Sequence, residues 1–189
     1  VSSPASSADA AGDPAQGPAP RLTETSYIVL GLLDALAPAT PYDLKQVAKV
    51  STFNFWRVPH TQLYTECARL AAAGLLSEEQ EQAGRRRRVY ELTDAGREAL
   101  SRWRAQPADA PYELRDGGIL KLFFGADPVL LARGQLSTHR AQLAAYEELR
   151  EGLRGGPEHW RLALESGIGH EREFVRFWSA LAAGRDPAT

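Results

Sequence analysis

Methionine is absent from this chain of 189 residues, cysteine occurs once and histidine four times. The single thiol, Cys67, cannot close an internal disulfide, and with four scattered histidines it offers no metal-ligand spacing. Neither a disulfide framework nor structural zinc is therefore expected, and no cofactor or metal is assigned. The missing initiator makes the numbered start read as a processing or expression boundary. Long apolar runs are lacking too: none approaches the roughly 20 residues a bilayer crossing needs, and the N-terminus has no basic-then-apolar leader. A soluble, cytoplasmic chain is the expectation.

Signals for catalysis are equally sparse. Gly167-Ile168-Gly169 has neither the preceding strand nor the third glycine of a phosphate loop, and it falls within a helical pattern. His170-Glu171-Arg172-Glu173-Phe174 has Phe where a two-histidine zinc helix needs its second His. No serine sits in a nucleophile elbow, and Cys67 falls on a core face. The chain is not expected to be an enzyme.

What remains is an ordinary globular composition, 43% hydrophobic and 24% charged, which excludes a wholly disordered chain. The net charge of −2 hides an asymmetry. Residues 21–106 carry 12 Lys+Arg against 10 Asp+Glu, whereas residues 107–189 carry 10 against 12. Four of the positive charges are consecutive, Arg85 to Arg88. Residues 1–20 are mostly Ala, Ser, Pro and Gly and read as a disordered tail.

Thr23 or Thr25 opens a helix that carries Tyr27-Ile28-Val29-Leu30-Gly31-Leu32-Leu33 on to Leu36. Pro41 starts a short amphipathic helix through Tyr42, Leu44, Val47 and Ala48. A third helix spans 59–73, with Gly74 as its left-handed terminus. At 100° per residue, Leu63, Cys67 and Leu70 share one face, while Thr61, Thr65, Ala68, Arg69 and Ala72 face away, flanked by Gln62 and Tyr64. Residues 75–81 and 87–92 read as two strands with the arginines at and just beyond the hairpin tip, and Thr93 caps a helix through Trp103. That order, three helices, a hairpin and a helix, is a winged helix-turn-helix within 21–106.

Residues 107–189 read as a helical domain: a short apolar element at 120–124, a helix from Pro128 to about Leu153, and a last helix from Glu158 to Ala183. Three such helices cannot enclose a core alone, so a second copy is the expected partner. The apolar seam Leu136, Leu143, Tyr146, Leu149 and Leu153 is the candidate dimer interface. The fold class is thus mainly α with a small β-hairpin, a winged helix-turn-helix plus a helical dimerisation domain.

With its pieces assembled, the sequence resembles the PadR family of bacterial transcriptional regulators, in the branch with a long C-terminal helical domain. The resemblance rests on Tyr-Ile-Val-Leu-Gly-Leu-Leu at 27–33, Phe55-Trp56 followed by His60-Thr61-Gln62-Leu63-Tyr64, and Arg69-Leu70 before Gly74-Leu75-Leu76. It continues in Val89-Tyr90 leading to Leu92-Thr93-Asp94-Ala95-Gly96 and in Arg115-Asp116 leading to Leu120-Lys121-Leu122-Phe123-Phe124. Family members commonly have a small hydroxyl residue where Pro59 stands, Leu where Cys67 stands and Tyr near His170. The resemblance implies a homodimeric repressor that leaves an inverted-repeat operator when a small-molecule effector binds.

Double-stranded DNA is then the expected partner. On the third helix His60, Thr61, Gln62, Tyr64, Thr65 and Arg69 are the candidate contacts, with Gln62 suited to adenine and Tyr64 to phosphate. Arg85, Arg86, Arg87 and Arg88 are the candidate wing contacts, to phosphates or a minor groove. Phe124, Trp160, His170 and Trp178 are the candidate lining of a site for a planar, largely apolar effector, although aromatic stripes at helical spacing also build cores. The competing reading is a protein-interaction module that uses the winged-helix surface without DNA, favoured by Glu78, Glu79 and Glu81 opposite the arginines.

Overall fold

A computed structural model describes residues 20–80, 87–108 and 113–188. Seven α-helices and one hairpin are present among them: α1 Glu24–Leu36, α2 Pro41–Val50, α3 His60–Ala72, β1 Leu76–Gln80, β2 Arg88–Leu92, α4 Asp94–Arg104, α5 Gly117–Phe123, α6 Pro128–Gly152 and α7 Glu158–Ala182. The chain divides into two compact units, Val1–Ala108 and Asp109–Thr189. The expected tail, the hairpin tip and part of the expected linker lie outside the described residues. No described helix is long and apolar enough to cross a membrane.

In the first unit α1 is the centre of the core. Val29, Leu30 and Leu33 are fully buried against Leu44 and Ala48 of α2, Leu63, Cys67 and Leu70 of α3, and Leu100 of α4. Each such aliphatic side chain contributes about 1.5–3 kcal/mol by leaving water. The helix starts are set by local hydrogen bonds. Ser26 Oγ accepts from the Thr23 amide at 2.8 Å, and Asp43 Oδ2 accepts from the Thr40 amide at 3.0 Å while Thr40 Oγ1 accepts from the Asp43 amide. Gly74, with φ +73°, supplies the left-handed residue that ends α3 and turns the chain into β1.

β1 and β2 pair antiparallel in the register Leu76↔Leu92 through Gln80↔Arg88. The connection between α1 and α2 also reaches this sheet, which the sequence alone did not suggest: the Ala39 and Tyr90 backbones exchange hydrogen bonds of 3.2 and 2.9 Å. α4 is locked under the hairpin, since Thr93 Oγ1 donates to the Gly74 carbonyl and accepts from the Gly96 amide.

In the second unit α6 and α7 pair along their length and α5 packs on α6. Its core is Ala132, Leu136 and Trp178, with Ile119, Leu122, Phe174, Phe177 and Leu181 around them. This corrects the seam expected to await a second copy. Leu136 and Tyr146 are already buried inside the chain, and Leu143, Leu149 and Leu153 are half-buried. The covering surface is α7, which approaches closely here: a Cβ on Gly167 would meet the Tyr146 ring at 3.1 Å, tighter than ordinary contact. The large apolar side chains left on the surface lie elsewhere, at Leu114, Leu120, Phe123, Phe124 and Leu130 around α5, and at Trp160 and Leu162.

Candidate nucleic-acid interface

α3 is pinned by one face and presents the other. Leu63, Cys67 and Leu70 are fully buried, whereas His60, Thr61, Gln62, Tyr64 and Thr65 are exposed. Burial raises the Cys67 thiol to about 12, so it is a packing group and no nucleophile at neutral pH. The Thr65 hydroxyl donates to the Thr61 carbonyl at 3.0 Å, which leaves the oxygen's lone pairs outward. No acidic side chain sits in the first turn of α3, so its positive dipole end carries no local countercharge from the helix itself. Hydrogen-bonding side chains at the N-terminal end of the second helix of a helix-turn-helix are those that reach base edges in a major groove.

Arg69 departs from the outward set. Its Nε and Nη2 donate to the Glu66 carboxylate at 2.9 and 2.6 Å, and Nη2 donates to the fully buried Ser26 Oγ at 3.1 Å. The same bonds hold the Glu66 carboxyl below the usual carboxylate range and push Arg69 further up. Arg69 therefore ties α3 to α1, and the structure gives it a clamping position in place of the groove-facing one.

The wing is only partly in view. Arg85 and Arg86 lie outside the described residues; Arg87 is exposed just before β2. Arg87 is near enough to the first turn of α2 to add a minor attraction to Asp43, whose carboxyl is held low chiefly by the Thr40 hydroxyl and amide. Arg88 sits in β2 opposite Gln80 and faces Glu78 across the strands at 3.3 Å. Glu78 is further engaged by the Tyr90 hydroxyl at 2.9 Å, and Tyr90 itself is buried. Arg88 thus lies in the expected second strand as part of a strand-pairing network, which engages with Glu78 a guanidinium that the sequence offered as a wing contact.

The four expected effector residues do not come together. Trp178 is fully buried in the core of the second unit, and Phe124 is 77% exposed at the end of α5. Trp160 stands in the first turn of α7, 18 residues before Trp178 on the same helix. At 1.5 Å per residue that is roughly 27 Å, too far for both rings to line one small-molecule cavity. His170 is exposed, with its ring 5.2 Å from Phe174.

Two features escaped the sequence reading. His139 and Glu171 form a 2.7 Å pair inside the α6–α7 seam, with the imidazole stacked on Phe174 at 4.6 Å. Its signal was the placing of His139 on the stripe of Leu136, Leu143 and Tyr146. Phe55, Trp56 and Arg57, immediately before α3, are exposed; the adjacent pair of aromatics carried part of the family resemblance but was given no place in the interface. Among the described residues no group of three or more His, Cys, Asp or Glu is placed to hold a metal ion.

Comparison with known proteins agrees with this geometry. Residues 29–102 match the transcriptional regulator PadR-like family. The negative transcriptional regulator PadR of Bacillus subtilis is 25% identical over 174 residues, which cover 83% of this chain and 94% of that protein. The crystal structure of Bacillus subtilis PadR in complex with operator DNA superposes with a TM-score of 0.74 at 24% identity, covering 84% of this chain and 96% of the other. Its complex with p-coumaric acid gives 0.68 at the same identity and coverage. The virulence activator AphA of Vibrio cholerae gives 0.65 at 25% identity, over 85% of this chain and 97% of the other.

Proposed function

We propose that this chain, whose residues 29–102 match the PadR-like transcriptional-regulator family, is a DNA-binding homodimeric repressor of an inverted-repeat operator, released by a small-molecule effector. The observation that carries the reading is the division of α3 into a buried aliphatic face and an exposed hydrogen-bonding face, followed directly by a hairpin whose sequence holds four consecutive arginines, Arg85 to Arg88. Thr61, Gln62 and Thr65 address base edges; His60 and Tyr64 address the backbone; Arg85, Arg86 and Arg87 supply the wing's positive charge. Two copies of α3 related by a two-fold axis enter successive major grooves about 34–36 Å apart.

Repression is supported by the negative regulator of Bacillus subtilis, and an effector of the planar aromatic acid class by its complex with p-coumaric acid. The second copy is met through the exposed face around α5, where Leu120, Phe123, Phe124 and Leu130 leave large apolar side chains on the surface, of the kind that marks association. An effector that prefers a dimer with a different spacing of its two α3 helices lowers operator affinity in proportion to that preference. No chemical step is required of the protein.

The test is capture of genomic fragments by the purified protein, followed by sequencing. Enrichment of a motif with dyad symmetry is expected. Recovery without any shared motif, or no retention of duplex DNA, contradicts the reading and favours a protein-binding winged helix.

A further inference from the structure

Phe55 and Trp56 stand on the surface immediately before α3, 69% and 49% exposed. Isolated exposed apolar residues need no explanation. These are not isolated: among the described residues of unit Val1–Ala108, six large apolar side chains are exposed, and Tyr42, Val50, Phe55, Trp56 and Tyr64 account for all but Trp103. The apolar surface is concentrated on the stretch that leads into and includes the DNA-facing helix.

The pair is also held in place. The 3-10 turn Thr52–Asn54 closes with the Phe55 and Trp56 amides donating to the Thr52 carbonyl at 3.1 and 2.6 Å. Val58, two residues on, is buried and anchors the extended link to His60. Four residue steps separate Trp56 from His60, so their Cα atoms lie at most about 14 Å apart. The pair therefore stands within reach of the N-terminal end of α3.

Charge points the same way. Arg69, Arg88 and Arg104 are engaged by Glu66, Glu78 and Asp34. Cations already matched by carboxylates release fewer phosphate counterions, so tight binding has to draw on contacts that are insensitive to salt. In the major groove the apolar group on offer is the thymine methyl, and beside it lie the deoxyribose faces.

We propose that Phe55 and Trp56 form an apolar foot that docks on the DNA duplex beside the groove entered by α3, against deoxyribose and thymine methyl groups, with Arg57 on the adjoining phosphate. The proposal rests on the reading of α3 as the DNA-contacting helix. It adds a salt-insensitive share of the affinity and a preference for thymine at the edge of each half-site.

The probe is a short duplex that the wild-type protein selects from a random-sequence pool. Phe55→Ser together with Trp56→Ser is expected to weaken binding roughly tenfold to a hundredfold, the worth of burying an aromatic ring, with the slope of log affinity against log salt unchanged. Trp56→Phe is read at saturating protein, where affinity does not enter: the change in tryptophan fluorescence on adding the duplex should shrink relative to wild type. Unaltered affinity in the double variant, a reduced salt slope, or an undiminished fluorescence change in Trp56→Phe overturns the proposal. A shifted sedimentation coefficient with DNA affinity intact assigns the patch to contact between copies and overturns it too. If the wild-type protein selects no duplex, the DNA-binding reading falls first; if it does and the variants bind alike, only the foot falls.

Discussion

Replacing Gly96 with Ala tests how the wing is seated on α4. A Cβ there would lie 2.1 Å from the Leu75 carbonyl oxygen, against about 3.4 Å for ordinary contact, a shortfall of about 1.3 Å. The obstacle is backbone, so no rotamer relieves it, and the same carbonyl accepts the Thr93 amide at 3.2 Å where α4 begins. Overpacking of this kind typically costs about 1–3 kcal/mol, and an immovable neighbour puts Gly96→Ala at or above the upper end. Alanine's higher helix propensity returns about 1 kcal/mol, which leaves a net loss of about 2–3 kcal/mol. Against a typical total of about 5–15 kcal/mol that is a large share. Gly31→Ala in α1, where an added Cβ meets nothing within 4 Å, is the control and should gain about 0.5–1 kcal/mol. Amide hydrogen exchange at α1, α3 and α4 reads the first unit residue by residue. Protection there that is unchanged or improved in Gly96→Ala would refute the reasoning.

Arg85→Ala with Arg86→Ala should weaken binding to all duplexes alike and lower the salt slope by about one per lost phosphate contact; an unchanged slope removes the wing from the interface. Gln62→Ala should relax preference at one base position per half-site at a cost of about 1–3 kcal/mol, whereas equal losses on selected and random duplexes would limit Gln62 to positioning. Leu120→Glu with Phe123→Glu should shift sedimentation toward the monomer, and a dimer that persists would move the interface off α5. Asp43 should make stability acid-sensitive. Its folded-state carboxyl titrates below the ordinary value of 3.8, so its stabilisation is present above that value and lost as pH falls through the folded-state one. Asp43→Asn should remove this sensitivity, and identical acid unfolding curves for the two proteins would contradict the cap.

Much of the fold was legible because the decisive signals are local. The 100° spacing of Leu63, Cys67 and Leu70 gave the buried face of α3, Gly74 gave its end, and Thr93 gave the start of α4. The candidate site was less legible, because a helical wheel gives direction and no partner. Arg69 points away from the core stripe, yet its partners are Glu66 in the adjacent turn and Ser26, 43 residues distant. The seam on α6 was correctly apolar, but periodicity does not say whether the covering surface belongs to the same chain, and that surface is α7, which comes close to Tyr146 at Gly167. The spacing of Trp160 and Trp178 was legible as well: 18 residues on one helix separate them by roughly 27 Å.

Methylation interference on a selected duplex tests the central claim most directly, because guanine N7 lies in the major groove that α3 is said to enter. Interference in two clusters about one helical turn apart, with one cluster weakened when a half-site is scrambled, is the predicted result. Binding that tolerates methylation at every guanine N7 in the protected segment would contradict the account.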